Sequence, residues 1–139
     1  MEASSRAKFL AVSHAFHSPL VGSTCLPFKK VVEQVHLNAP HIEMISTVTG
    51  QLCDEALRQP DYWAEHIIKK VRFCDAVQQC VANGATLMVE IGPRPTLTSM
   101  GRGCFKEHAD SGLQWINMVD TEGAKMETID AVAAAAGKQ

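Results

Sequence analysis

Two histidines stand three positions apart in His14-Ala15-Phe16-His17-Ser18, separated by an aromatic residue. Imidazole changes charge near neutral pH, so a positioned histidine can take a proton and return it, the work of a general base. Such a base needs a nucleophile to activate. Serine is a weak nucleophile unless a base lies within hydrogen-bond reach, and the chain contains no Gly-x-Ser-x-Gly turn. Cys25, eight residues beyond His17, is the thiol alternative; a reactive thiol requires electropositive, partly exposed surroundings. From its residues alone, His17 also fits a surface or capping histidine. His36 and His41 flank Asn38-Ala39-Pro40, but no carboxylate or thiol completes a ligand spacing around them. A solvated loop is expected there, and no metal.

The elements that would position these groups alternate between strand and helix. A short apolar run over residues 9–13 reads as a strand feeding the histidine loop, with a helix start behind it at Ser18-Pro19. Phe28, Val31, Val32 and Val35 recur at helical spacing, Pro27 suits the first turn, and Asn38-Ala39-Pro40 closes the helix. Residues 42–48 are strand-like and Thr49-Gly50 is a turn. Asp61 is the expected N-cap of a helix running through Tyr62-Trp63-Ala64-Glu65-His66. A further helix places Phe73, Val77 and Val81 on one face and ends at Asn83-Gly84, a left-handed cap signal. Residues 86–91 read as a buried strand, 95–105 as a helix, 113–119 as a strand, and the alanine-rich 126–136 as a last helix. This alternation predicts an α/β layer with a mostly parallel sheet and flanking helices.

Composition narrows the partners. The 139 residues fit one domain, and 46% hydrophobic with 20% charged residues is a globular balance. Net charge is −2 and the 13 basic residues are scattered, which argues against a nucleic-acid face or a polybasic membrane patch. No apolar run approaches the ~20 residues of a membrane span, and the first residues lack a signal-peptide core. A cytoplasmic location with reduced cysteines is expected. The five cysteines are odd in number and contain no Cys-x-x-Cys, so neither a disulfide framework nor a zinc site is signalled.

Four blocks, taken in order, carry a more specific signal. Leu10-Ala11-Val12-Ser13-His14-Ala15-Phe16-His17-Ser18-Pro19-Leu20 closely resembles the histidine motif of malonyl-type acyltransferase domains in modular type I polyketide synthases. Ser46-Thr47-Val48-Thr49-Gly50 is similar to that family's Ser-Asn-Val-Thr-Gly. Tyr62-Trp63-Ala64-Glu65-His66 with Val71-Arg72-Phe73-Cys74-Asp75-Ala76-Val77 resembles its Tyr-Trp-x-x-His … Pro-Val-Arg-Phe-x-Asp-Ala-Val block. Val89-Glu90-Ile91-Gly92-Pro93 and Leu97-Thr98 resemble its Glu-x-Gly-Pro and Leu-Thr. Lys70 departs from the pattern, standing where the family has a proline.

The resemblance spans residues 8–105 most strongly, and takes 1–139 as one partial acyltransferase domain ending in a strand and helix over 113–139. It implies the C-terminal part of an α/β-hydrolase-like large subdomain, without the serine elbow, the malonyl-binding arginine and the ferredoxin-like subdomain expected upstream. It implies that His17 is the catalytic base. It implies that a backbone carbonyl aligned with His66 orients the base, against a helix-end histidine without a role. His14 and Phe16 resemble selectivity residues at the acyl chain, against a Phe16 that is simply core. The implied activity is transfer of malonyl from coenzyme A to the phosphopantetheine thiol of an acyl carrier protein. Malonyl-CoA is then a substrate, no cofactor of the chain's own is called for, and the partners are the carrier protein, the upstream part of the domain and neighbouring synthase domains. The rival readings are an inactive remnant or interaction module with the same fold, and a thiol enzyme using Cys25.

Overall fold

The computed structural model describes residues 12–105, 112–120, 123–124, 130 and 133–134. The chain divides into two compact units, Met1–Pro40 with Asp54–Val71, and His41–Cys53 with Arg72–Gln139.

The first unit is helical. Ser18 opens a 3-10 helix over Pro19–Thr24: its extended backbone halts the chain and its hydroxyl accepts from the Leu20 N–H at 3.3 Å. Helix α1 (Cys25–Val32) follows directly. It is shorter than the apolar spacing predicts. Gln34 and Val35 donate to carbonyls three residues back instead of four, tightening and ending the helix before Val35. Only Val32 of the expected apolar face is buried; Phe28, Val31 and Val35 are exposed.

Helix α2 (Pro60–Ile68) starts two residues earlier than the Asp61 cap predicts. Pro60 is set for the first helical position by its fixed φ, and it forces Gln59 before it into an extended backbone, so Gln59 is the cap. Asp61 instead sits in the first turn, where its carboxylate meets the Lys29 ammonium at 2.6 Å. That hydrogen bond holds the Lys29 ammonium above its ordinary range. Trp63 Nε1 donates to the Leu57 carbonyl at 2.9 Å, tying α2 to a preceding 3-10 turn, Glu55–Arg58. Tyr62, Ala64, Leu57 and Val32 form the buried centre of this unit. The small Ala64 lets α1 approach closely, and Cys25 Sγ donates to its carbonyl at 3.5 Å.

The second unit carries the strands. β1 (Met44–Ile45) pairs antiparallel with β2 (Leu52–Cys53). The strand expected over 42–48 is cut short by Ser46, whose hydroxyl accepts from the Val48 N–H at 3.0 Å and turns the chain. Gly50 N–H closes that turn onto the Ser46 carbonyl at 2.7 Å, with Gly50 at φ 74°. Arg72 N–H donates to the Thr47 carbonyl at 2.7 Å, and Arg72 Nε meets Asp75 at 2.6 Å. The turn is thereby held against the start of α3 (Phe73–Ala82). That helix ends as Asn83-Gly84 predicts: Gly84 takes φ 93°, with Gly84 N–H on Val81 and Ala85 N–H on Cys80, the paired bonds of a left-handed cap.

β3 (Leu87–Glu90), α4 (Thr96–Gly103) and β4 (Gln114–Asn117) form a β-α-β unit, β3 and β4 running parallel from Leu87↔Gln114 to Glu90↔Asn117. Gly101 in α4 is buried where a Cβ would run into the Trp115 indole, which explains a glycine inside a helix. β5 (Val119–Asp120) and β6 (Gly123–Ala124) make a third, antiparallel pair. The α/β class holds, but the mostly parallel sheet does not: among the described residues there is one parallel pair and two short antiparallel ones. β3 is only half-buried, with Ile91 beyond it 84% exposed, because a single neighbouring strand covers one edge. The strand expected over 9–13 is absent at Val12 and Ser13, since a strand persists only where a neighbour takes its hydrogen bonds; residues 9–11 lie outside the described residues. The helix expected over 126–136 also lies outside them, apart from residues 130, 133 and 134.

Glu90 ends β3 and caps α4. Its two carboxylate oxygens accept from the Leu97 N–H at 2.9 Å and the Thr98 N–H at 2.7 Å, donors the first turn of a helix leaves unpaired. Burial works to raise the Glu90 carboxyl, but the Thr98 and Leu97 N–H groups outweigh it and hold the group below its usual range. A carboxyl depressed on folding contributes stability that is full above its unfolded pKa and is lost as pH falls through the folded value. Glu90→Gln is therefore expected to lower the melting temperature at neutral pH and to flatten its decline in acid. Thermal melts from neutral to acid pH check this, and parallel acid limbs for the two proteins would refute it.

Candidate active site

His17 is held by the end of α2. Its backbone N–H donates to the Ile67 carbonyl at 3.1 Å, and its ring Nδ1 lies 3.1 Å from the Lys69 carbonyl. A carbonyl oxygen only accepts, so Nδ1 carries a proton, and in the neutral ring the lone pair is on Nε2. That tautomer is the one a base requires. Both carbonyls are available for a structural reason. The last carbonyls of a helix have no intrahelical donor, and Lys69 leaves α2 with extended backbone at φ −75°, ψ 144°.

The loop itself is braced on both sides of His17. Ser18 Oγ donates to the Ala15 carbonyl at 2.7 Å while accepting from Leu20 N–H. His17 sits at φ 55°, the left-handed region, which non-glycine residues seldom occupy and in which histidine is among the enriched types. A conformation of this kind persists when surrounding bonds over-determine it, and the two bonds to α2 with the Ser18 brace do so. His17 is exposed.

The structure brings His17 and His66 together, but by another route than the sequence predicts. The carbonyl that meets the His17 ring belongs to Lys69, three residues past His66. His66 lies within α2, and Lys69, beyond the helix end, is the residue whose carbonyl turns out of the helical path. The His66 imidazole instead faces the His17 ring edge-on, with centroids 6.1 Å apart, and packs on Tyr62 at 6.2 Å. His14 and Phe16 are both exposed and adjoin one another, their ring centroids 5.7 Å apart. Ser13 Oγ lies 2.7 Å from His14 Nδ1. Phe16 is 59% exposed, so it is not a core residue of this unit. Cys25 is directed at the Ala64 carbonyl and lines a groove of about 310 Å³ with Leu26, Lys29, Ala64 and Ile68. Sequence reasoning missed Ile67, Lys69 and the bracing role of Ser18. The first two act through main-chain oxygens, which leave no side-chain signature.

Among the described residues no three His, Cys, Asp or Glu side chains come together as a metal site, and no helix is long and apolar enough to cross a membrane.

No protein-family model matches the chain. Polyketide synthase GfsB of Streptomyces halstedii is 44% identical over 73% of the chain, and polyketide synthase GfsA of the same organism 34% identical over 94%. The acyltransferase domain from the second module of the salinomycin polyketide synthase superposes on 91% of the chain with a TM-score of 0.78 and 32% identity. The chain corresponds to part of a polyketide-synthase acyltransferase domain. It spans 2% of the length of each of the two synthases and 29% of the solved acyltransferase chain. The acyl-carrier-protein S-malonyltransferase of Bartonella henselae shares the fold, with a TM-score of 0.76 at 23% identity over 92% of the chain and 38% of its own. In this acyltransferase segment the His17 loop is tied to the end of α2 by two hydrogen bonds.

Proposed function

We propose that, within a complete acyltransferase, this segment supplies the general base and part of the acyl pocket for moving malonyl from coenzyme A to the phosphopantetheine thiol of an acyl carrier protein. It forms the C-terminal portion of an α/β-hydrolase-like large subdomain. The observation that carries the reading is the hydrogen bond from His17 Nδ1 to the Lys69 carbonyl, which fixes the ring and, in the neutral imidazole, places the lone pair on Nε2.

The serine that His17 would serve belongs to a part of the domain outside this chain. His17 Nε2 takes the hydroxyl proton as the oxygen attacks the malonyl thioester. The resulting imidazolium, held by Lys69, gives that proton to the departing coenzyme A sulfur. The second half repeats the cycle: the carrier's thiol loses its proton to His17, attacks the malonyl ester, and the serine oxygen recovers the proton. His14 and Phe16, adjoining one another beside the base, shape the wall near the acyl α-carbon. A phenyl ring there accommodates CH2 more readily than a branched carbon.

The test is selectivity in a complete acyltransferase carrying this segment. Phe16→Ser is expected to shift the ratio of malonyl to methylmalonyl loading toward methylmalonyl, within the ~1–3 kcal/mol that one methyl group commands in a pocket. Competition between the two coenzyme A thioesters, read by mass spectrometry of the loaded enzyme, measures it. An unchanged ratio would remove Phe16 from the pocket.

A further inference from the structure

The segment 66–69 at the end of α2 meets His17 three times. Ile67 and Lys69 do so through their carbonyls, the first on the His17 N–H and the second on ring Nδ1. His66 does so through its side chain: the two imidazoles stand edge-on, 65° between planes and 6.1 Å between centroids. A hydrogen bond to a carbonyl holds one atom of the ring and tolerates a broad range of angles. For an exposed residue such as His17 it leaves the direction of Nε2 only partly set, unless a second contact fixes the ring plane. The half-buried His66 has support of its own. Tyr62, one turn earlier on the same face of α2, is buried and packs on His66 with centroids 6.2 Å apart. Trp63 in turn meets Tyr62 at 90° and 5.3 Å. Centroid separations of about 4.5–7 Å with inclined planes are those that aromatic rings favour.

We propose that the His66 side chain is a positioning residue for the base: its ring, backed by Tyr62, fixes the plane of the His17 imidazole and with it the direction of the Nε2 lone pair. The inference rests on the reading of His17 as general base. It gives the His66 side chain a task that its backbone does not perform, since the carbonyl on Nδ1 belongs to Lys69. The task needs a flat ring and no proton, so phenylalanine can take it over and alanine cannot. Reacting groups tolerate little error, and a displacement of ~1 Å can cost about 10²-fold in rate. The loss belongs to the chemical step, because the affinity for malonyl-CoA does not depend on where the Nε2 lone pair points.

Long-range proton–nitrogen correlation spectra of the 139-residue chain, at a pH where both rings are neutral, record which nitrogen of His17 carries the proton. The parent and His66→Phe are expected to show one Nδ1–H tautomer, and His66→Ala an average of the two. In a complete acyltransferase carrying this segment, single-turnover loading from malonyl-CoA should slow in His66→Ala, by up to about 10²-fold in maximal rate. The half-saturating malonyl-CoA concentration should stay that of the parent, and His66→Phe should recover most of the rate. Thermal melts check that the variants fold; His66→Leu, apolar and without a flat ring, takes the place of alanine if alanine unfolds the chain. An unaltered His17 spectrum or maximal rate in His66→Ala, a raised half-saturation, or a His66→Phe as slow as alanine would each overturn the proposal. The spectra need no turnover, so they decide the positioning apart from the base reading, which full turnover in His17→Asn would end.

Discussion

His17→Ala in a complete acyltransferase carrying this segment is expected to lower turnover about 10²–10⁴-fold, the range a positioned general base contributes. The loss should fall equally on malonyl-CoA and methylmalonyl-CoA, because proton transfer from serine is common to both. Alanine also sits less readily than histidine at φ 55°, so a drop with this variant alone could report a disturbed loop. His17→Asn separates the two causes. Asparagine adopts the left-handed conformation readily, and it has no nitrogen that can take the serine proton. The asparagine variant should therefore melt like the parent and still lose turnover. Rates of carrier-protein loading with each thioester, beside thermal melts, provide the measurement. Full turnover with either variant would end the assignment of His17 as base.

The companion variants act on the other half of the arrangement. The Lys69 carbonyl cannot be removed by changing the Lys69 side chain, so Lys69→Ala should leave turnover near that of the parent. That insensitivity is the mark of a main-chain acceptor. It is also the reason His66 stood in the sequence reading where Lys69 stands in the structure. A motif records side chains, and the residue whose oxygen matters is chosen by where α2 ends. The end of α2 depends on Lys69 taking extended backbone, a choice that nothing in Ile68-Lys69-Lys70 announces.

Helices proved legible where local chemistry decides them. Asn83-Gly84 predicts the left-handed cap of α3, and the structure builds both of its hydrogen bonds. Pro60 decided the start of α2 against Asp61, a conflict between two local signals in which the fixed φ of proline prevailed. Strands were less legible, because each depends on a neighbour that may be distant in sequence. The apolar run after His41 reads as a strand to Val48, yet only Met44 and Ile45 find partners. Ser46 withdraws the next residues into a turn with its own hydroxyl. The blocks Ser46–Gly50 and Val71–Val77 were visible as separate motifs, and their meeting through Arg72 and Thr47 was not.

That meeting makes Gly50 sensitive to any side chain. Two independent penalties attend a side chain there. At φ 74° an L-residue strains against its own carbonyl, by roughly 1–2 kcal/mol. A Cβ would also stand 2.7 Å from the Asp75 Cβ, a contact between two atoms fixed to backbone, which no rotamer relieves. Overpacking of this sort costs typically about 1–3 kcal/mol. Gly50→Ala is therefore expected to destabilise the protein by roughly 2–5 kcal/mol in total. Gly84 provides the comparison: it has φ 93°, but a Cβ there would meet nothing within 4 Å. Gly84→Ala should show the backbone penalty alone, about 1–2 kcal/mol. Gly22, with neither positive φ nor a close neighbour, should tolerate alanine with little change. Denaturant midpoints of the three variants, at unchanged slope, measure the series. If Gly50→Ala cost no more than Gly84→Ala, the turn would be able to move away from Asp75, and the packing of Ser46–Gly50 against the start of α3 would be looser than its hydrogen bonds imply.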